Sequence, residues 1–335
     1  MNRRPELVCP AGSLPALRAA VDHGADAVYV GFRDRTNARA FPGLNFSDED
    51  LARGMAYVHE RGRRIYAVLN TYPGSSDLER WERAVDKAAD LGADALIVAD
   101  PAVLDYAARH HPDLPRHLSV QASAPSVEAL DFYAREWGVT RAVLPRVLTV
   151  HQVERLAARS AVALEVFAFG SLCIMVEGRC QLSSYVTGAS PNTCGVCSPA
   201  HAVRWEEGPE GREARLDGVL IDRYAPGETT AYPTVCKGRY EVQGHVFHAL
   251  EEPTSLDVLP LLPRLVAGGI AAFKIEGRQR GPAYVAQVTQ VWREALDAVA
   301  ANPDAFQIRR SWTETLARLS EGGRTTLGPY DRLWR

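Results

Sequence analysis

Lysine is nearly missing from this chain: it stands only at Lys87, Lys237 and Lys274, so arginine carries almost all of the positive charge. Also missing is any apolar run approaching the roughly 18 residues that can span a bilayer, which excludes a transmembrane segment of the usual kind. There is no cationic excess, since 38 Lys and Arg face 41 Asp and Glu for a formal net charge of -3. Charge therefore gives no reason to expect nucleic acid as a partner. The opening residues MNRRPELVCPAGS are basic but lead into no apolar stretch, so no secretory leader is read there and a cytoplasmic location is expected. The chain has no HExxH and no GxSxG, which removes the common zinc-hydrolase and serine-hydrolase signatures. It has no GxGxxG or phosphate loop either. Its nine histidines fall in no metal-ligand spacing, and His110, His111, His245 and His248 receive no role.

What is present is ordinary globular bulk with a regular internal pattern. A chain of 335 residues, 46% hydrophobic and 24% charged, can bury a barrel-sized core or two smaller ones. Residues 24–30 read GADAVYV and residues 92–98 read GADALIV, each after an alanine-rich helical stretch. A helix that stops at glycine and feeds a short buried strand is half of a β/α unit. Further strands are expected at Leu7–Cys9, Ile65–Leu69, Leu118–Gln121, Ala142–Leu144, Leu164–Phe167 and Ala272–Ile275. Helices are expected at Asp48–Arg61, Ser126–Trp137, Thr149–Ala158, Ala283–Ala301 and Ser311–Ser320. Eight alternating units favour a closed (β/α)8 TIM-like barrel of class α/β over an open doubly wound sheet.

The alternation stops after Phe169. Residues 170–263, rich in glycine, proline and cysteine, read as a long cysteine-bearing insertion between strands 7 and 8, with β-like runs at Arg215–Tyr224 and Arg239–Phe247. The expected division is 1–169 for barrel strands 1–7, 170–263 for the insertion, and 264–335 for the last strand, C-terminal helices and tail. An insertion after strand 7 emerges at the C-terminal face, where such barrels do their chemistry.

Five of the six cysteines fall in this region: Cys173, Cys180, Cys194, Cys197 and Cys236. In a reducing compartment such a cluster argues for a metal site over a disulfide framework. Four thiolates can close around zinc or a [4Fe–4S] cluster. Only Cys194 and Cys197 have the paired spacing typical of zinc, so the open spacing leans toward iron–sulfur; zinc and unligated core thiols stay open. Cys9, alone on the first strand, reads as a core thiol.

The stretch Glu165–Ser183 resembles the signature of the collagenase-like peptidase family. That signature runs Glu-x-Phe-x-x-Gly-Ser-Leu-Cys, then Gly-x-Cys, then Ser. It is met by Glu165, Phe167, Gly170, Ser171, Leu172, Cys173, Gly178, Cys180 and Ser183. Within the family the chain is most similar to members of oxygen-independent ubiquinone biosynthesis. The stretches that carry this are Thr36–Arg39, Ser119–Ser123, Val143–Leu148, Cys197–Ala200, Cys236–Tyr240, Ala249–Leu256 and Lys274–Arg280. The resemblance implies a [4Fe–4S] cluster on Cys173, Cys180, Cys197 and Cys236. Cys194 departs from the pattern and could replace Cys197. It further implies hydroxylation of the ubiquinone ring without molecular oxygen, prephenate as an oxygen source, and a heterodimer with a homologous cluster-bearing subunit. A hydrophobic quinone precursor and a lipid-carrier accessory protein would be the other partners. Relatives in the family hydroxylate RNA bases, and proteolysis is expected to be no more than an inherited label.

From the residues themselves, the strand ends Asn70, Gln121, Arg146 and Lys274–Arg278 should face the catalytic mouth. Arg146, Lys274 and Arg278 are the candidate catalytic or carboxylate-anchoring cations, with Glu276 orienting one of them; an ion-pair network closing the mouth is the competing structural reading. Lys237 and Arg239 flank Cys236, where they would either raise the potential of a bound cluster or form a solvated surface pair. Tyr72, Trp81, Trp137 and Tyr284 read as packing residues. Two rival functions stay open: an RNA-base hydroxylase, and a non-catalytic scaffold or electron-transfer subunit.

Overall fold

The computed structural model describes residues 4–40, 43–175, 179–191, 196–209 and 211–332. Eight parallel strands close into a barrel. They are β1 (Glu6–Pro10), β2 (Ala27–Val30), β3 (Arg64–Leu69), β4 (Ala95–Val98), β5 (Arg116–Leu118), β6 (Val139–Val143) and β7 (Ala163–Ser171), with Ala272–Ile275 as the eighth. The eighth strand pairs with β1 on one side and β7 on the other, which seals the sheet. The expected TIM-like barrel is thus observed.

Several of the helices that follow the barrel strands start at a capping Ser or Thr side chain. The side chains of Ser13, Ser47, Ser126 and Thr149 accept from the backbone N–H three residues on, and Thr149 forms a capping box with Gln152. The two echoes work as expected, because Gly24 (φ 101°) and Gly92 (φ 79°) adopt the conformation that turns helix into strand. The strands begin later than the sequence pattern suggests, at Ala27 and Ala95, since the glycine and its neighbour belong to the turn.

β2 and β4 are buried on both faces and read as continuous apolar runs. Leu7, Val28, Ile65, Leu96 and Phe273 face the helices, while Val8, Tyr29, Val68 and Ile97 face inward. The helix Leu78–Asp90 buries Trp81, Ala84, Val85 and Ala88 at helical spacing. Deeper in the barrel the interior is polar. Arg64 (3.0 Å) and Arg141 (2.7 Å) both reach Glu6, and Tyr66 donates to it. Arg141 also reaches Glu165 (3.3 Å), which accepts from Lys274 (2.8 Å). Alternating charges therefore cross the barrel from the start of β1 to the end of its last strand, each carboxylate held between two cations.

Between β7 and the last barrel strand lie a three-stranded antiparallel sheet, β8 (Val203–Gly208), β9 (Gly211–Leu216) and β10 (Val219–Tyr224), and a hairpin, β11 (Tyr240–Val242) with β12 (His245–Phe247). A short strand, β13 (Ser255–Asp257), then runs antiparallel to the end of β7 and takes the terminal pair Thr325–Thr326 on its other side. This places the C-terminal segment against the rim of the barrel.

Candidate functional site

The C-terminal mouth of the barrel opens into a cavity whose walls come from two sources. Strand ends supply an apolar floor of Tyr29, Val68, Ile97, Val143 and Phe167, with Asn70, Ser119 and Gln121 beside it. The insertion supplies Cys173, Cys180, Cys197, Cys236 and Lys237. All four thiols expected to bind a cluster, and all of Arg146, Lys274, Glu276 and Arg278, line this one cavity.

Each candidate cation is held by a definite partner. Arg146 is buried, donates to the backbone oxygen of Ser171 (2.7 Å) and lies 4.2 Å over the Phe167 ring. Lys274 is bound to Glu165 and lies 4.1 Å over Tyr29. Burial pulls the Lys274 ammonium below the ordinary lysine range, while Lys274 and Arg141 together hold Glu165 ionised against the penalty of its own burial. Arg278 is buried, donates to Asn37 (3.0 Å), and is pushed down to about 10 by burial, so it stays charged at neutral pH. Space for it comes from two glycines: a Cβ at Gly12 would lie 1.9 Å from the Arg278 backbone oxygen, and one at Gly31 would lie 2.6 Å from its guanidinium. The ion-pair network therefore takes up Lys274, while Arg278 is held by the neutral amide of Asn37.

Glu276 was expected to orient one of these three. It pairs instead with Arg39 (3.9 Å) and accepts from the Ser171 N–H (3.4 Å). The reason is local: Gly277 (φ 154°) turns the chain between Glu276 and Arg278, so the two side chains serve different partners.

Ser171, two residues before Cys173, joins these groups. Its N–H goes to Glu276 and its carbonyl to Arg146, while its hydroxyl accepts from Lys237 (3.2 Å) and donates to Glu321 (3.3 Å). Lys237 and Glu321 form an ion pair of 2.5 Å, with side chains 3% and 9% exposed. Of the two readings for Lys237 and Arg239 beside Cys236, the solvated surface pair does not hold for Lys237, which is buried. Arg239 is held by Asp222 (2.5 Å) and Glu228 (3.1 Å).

The four thiols are partly buried. Burial pushes Cys236 up to about 12 and raises Cys197 as well, with the neighbouring cysteines adding to the effect on both. The Ser183 N–H donates to Cys180 Sγ (3.4 Å), and the Ser183 hydroxyl donates to the Cys197 carbonyl. Among the described residues, no three His, Cys, Asp or Glu groups stand close enough to hold one metal ion. Four cysteine thiols lining one cavity are a donor set that fits a thiolate-bound iron–sulfur cluster, in which each iron would take its own thiolate. Cys194, the alternative ligand, and Gly178 of the signature lie outside the described residues.

A family model described as peptidase family U32 matches residues 12–328. The chain belongs to peptidase family U32. Among its U32-like relatives is "tRNA hydroxylation protein P" of Escherichia coli (strain K12), 33% identical over 96% of this chain and 74% of that protein. "tRNA hydroxylation protein P1" of Bacillus subtilis (strain 168) is 30% identical over 94% of this chain and 68% of that protein. "23S rRNA 5-hydroxycytidine C2501 synthase" of E. coli (strain K12) is 31% identical over 89% of this chain but only 40% of that protein.

Sequence reasoning placed the thiols and Arg278 on the mouth and missed their partners. Asn37 and Arg39 stood in a stretch that carried only the resemblance. Glu321 had no signal at all, since nothing in the sequence couples it to Lys237 across the fold. Trp81 is core and Tyr284 is packed near the rim. Tyr72 lies nearer the site, donating to the Gln121 carbonyl (2.8 Å) and accepting from Arg179 (2.8 Å).

Proposed function

We propose that this U32 protein is the cluster-bearing subunit of an oxygen-independent hydroxylase of an aromatic ring. We infer the ubiquinone ring as its target, in the manner of the UbiU branch, with a UbiV-like homologue as partner in a heterodimer. The observation that carries the proposal is the shared cavity: four cysteine thiols form one wall, and an apolar floor with buried cations forms the other. A ring fits against Tyr29, Val68, Ile97 and Phe167, where burial of apolar area favours it. Arg278, fixed by Asn37, would attract an anionic co-substrate such as prephenate. Cys173, Cys180, Cys197 and Cys236 would hold a [4Fe–4S] cluster, which supplies one-electron chemistry when bound. The relatives named for tRNA and rRNA hydroxylation support the reaction type. They favour a second reading equally, that the ring is an RNA base. The formal net charge of -3 weighs toward the small ring, because a chain that binds RNA by itself usually carries a basic face.

The test is hydroxylation under strict exclusion of oxygen by the protein with its partner, offered a quinone-ring precursor and unmodified tRNA or rRNA in parallel. Product found only on the quinone precursor supports the first reading; product only on RNA replaces it with the second. Absence of both products from a protein that retains its cluster would leave the scaffold or electron-transfer role in their place.

A further inference from the structure

We propose that Glu321, from the C-terminal segment, is a positioning residue that sets the charge beside the cysteine wall by neutralising Lys237. The proposal rests on the cluster reading above.

Three stretches far apart in sequence meet at this point. Ser171 ends β7 and leads directly into Cys173. Lys237 immediately follows Cys236. Glu321 begins a tight turn after the last helix, Arg310–Leu319. The ammonium of Lys237 donates to Glu321 (2.5 Å) and to the Ser171 hydroxyl (3.2 Å), and that hydroxyl donates back to Glu321 (3.3 Å). The Glu321 backbone N–H donates to Ser255 Oγ (2.9 Å) on β13, so the carboxylate is carried by an anchored piece of chain. The next residue fixes the turn further. Gly322 has φ 60°, and a Cβ there would lie 2.3 Å from the Pro253 backbone oxygen.

The pair is 3% and 9% exposed, so water screens it little, and removing either member leaves the other as an uncompensated charge at the cavity. The two charges have opposite signs and nearly the same location. That gives a test no purely architectural role would pass. With Glu321 lost, the Lys237 ammonium acts alone and favours the reduced, more negative cluster. With Lys237 lost, the Glu321 carboxylate acts alone and disfavours it.

The experiment uses the full chain purified without oxygen, as wild type, Glu321→Gln, Lys237→Met and the double variant. Iron and acid-labile sulfide are measured first, then the midpoint potential by optical redox titration. The expected result is a potential shifted upward in Glu321→Gln, downward in Lys237→Met, and returned toward wild type in the double variant. Potentials that move the same way in both single variants, or that do not move, overturn the inference while leaving the cluster reading intact. Loss of iron from both single variants together, with wild-type protein loaded, also overturns it, since that is the signature of a structural clasp without an electrostatic role. Wild-type protein without iron and sulfide would overturn the cluster reading itself, and the inference with it.

Discussion

Replacing Glu165 by Gln should cost this protein much of its margin of stability. Glu165 is 1% exposed and accepts from Lys274 at 2.8 Å and Arg141 at 3.3 Å. The amide keeps the shape and one acceptor but removes the charge. Arg141 retains Glu6 (2.7 Å), so the damage falls on Lys274, which loses its carboxylate while buried. Breaking a buried ion pair on one side costs about 3–5 kcal/mol, and the retained acceptor places this case near about 3 kcal/mol. For a chain of this size each kcal/mol lowers Tm by roughly 2 °C, so a fall of roughly 6 °C is expected. The pH dependence has a definite sign. Burial already lowers the Lys274 pKa from its ordinary 10.5, and loss of Glu165 lowers it further. Between the folded and unfolded values the unfolded chain binds more protons, so the stability deficit of the variant shrinks as pH rises toward 10.5. Urea and thermal unfolding at a series of pH values above neutrality measure both effects. A loss below about 1 kcal/mol, or a deficit that widens with pH, would refute the charge ladder as described.

Other outcomes follow from the same physics. His117 is pushed down to about 3 by burial, with Arg141 adding to the effect, so its NMR signal should show no titration between pH 5 and 8. Its neutral form contributes stability that is fully present above 6.5 and lost as pH falls toward about 3, which acid unfolding of a His117→Gln variant should reduce. Asp257 is raised by burial to about 6, against which it accepts from the Leu259 N–H, so its charge is a burden at pH 7. Asp257→Asn should therefore stabilise at pH 7 by about 1–3 kcal/mol and by much less at pH 4, as urea midpoints will show. Gly12→Ala should destabilise by about 1–3 kcal/mol, because its Cβ would meet the Arg278 backbone 1.9 Å away. Gly74→Ala, whose Cβ meets nothing within 4 Å, serves as the control and should stay within about 0.5 kcal/mol in thermal unfolding.

The barrel was legible because strands such as β2 and β4 are short, buried on both faces and introduced by glycine turns, at Gly24 and Gly92. Where polar side chains compete for the backbone, the pattern misled. The run Leu118–Gln121 looked like a strand, but β5 stops at Leu118 and Val120–Ala122 forms a 3-10 turn, with Ser119 Oγ accepting from the Gln121 N–H (3.3 Å). In the insertion, two runs read as single β segments are divided by tight turns. Asp217–Gly218 (φ 46° and 81°) separates β9 from β10, and Gln243–Gly244 (φ 52° and 80°) separates β11 from β12. Asp-Gly is a strong hairpin signal that could have been read. The expected lining of the site was visible through residue type and strand-end position. The pairing was not, because Lys237 with Glu321 and Lys274 with Glu165 join residues 84 and 109 positions apart, and only the closed fold brings them together.

The measurement that tests the central claim most directly is the iron, acid-labile sulfide and zinc content of protein purified without oxygen, with an absorption spectrum. Four irons and four sulfides per chain are predicted from the [4Fe–4S] assignment, lost when Cys173 or Cys236 is changed to alanine. One zinc per chain with no sulfide would contradict the account and remove the redox chemistry from this cavity.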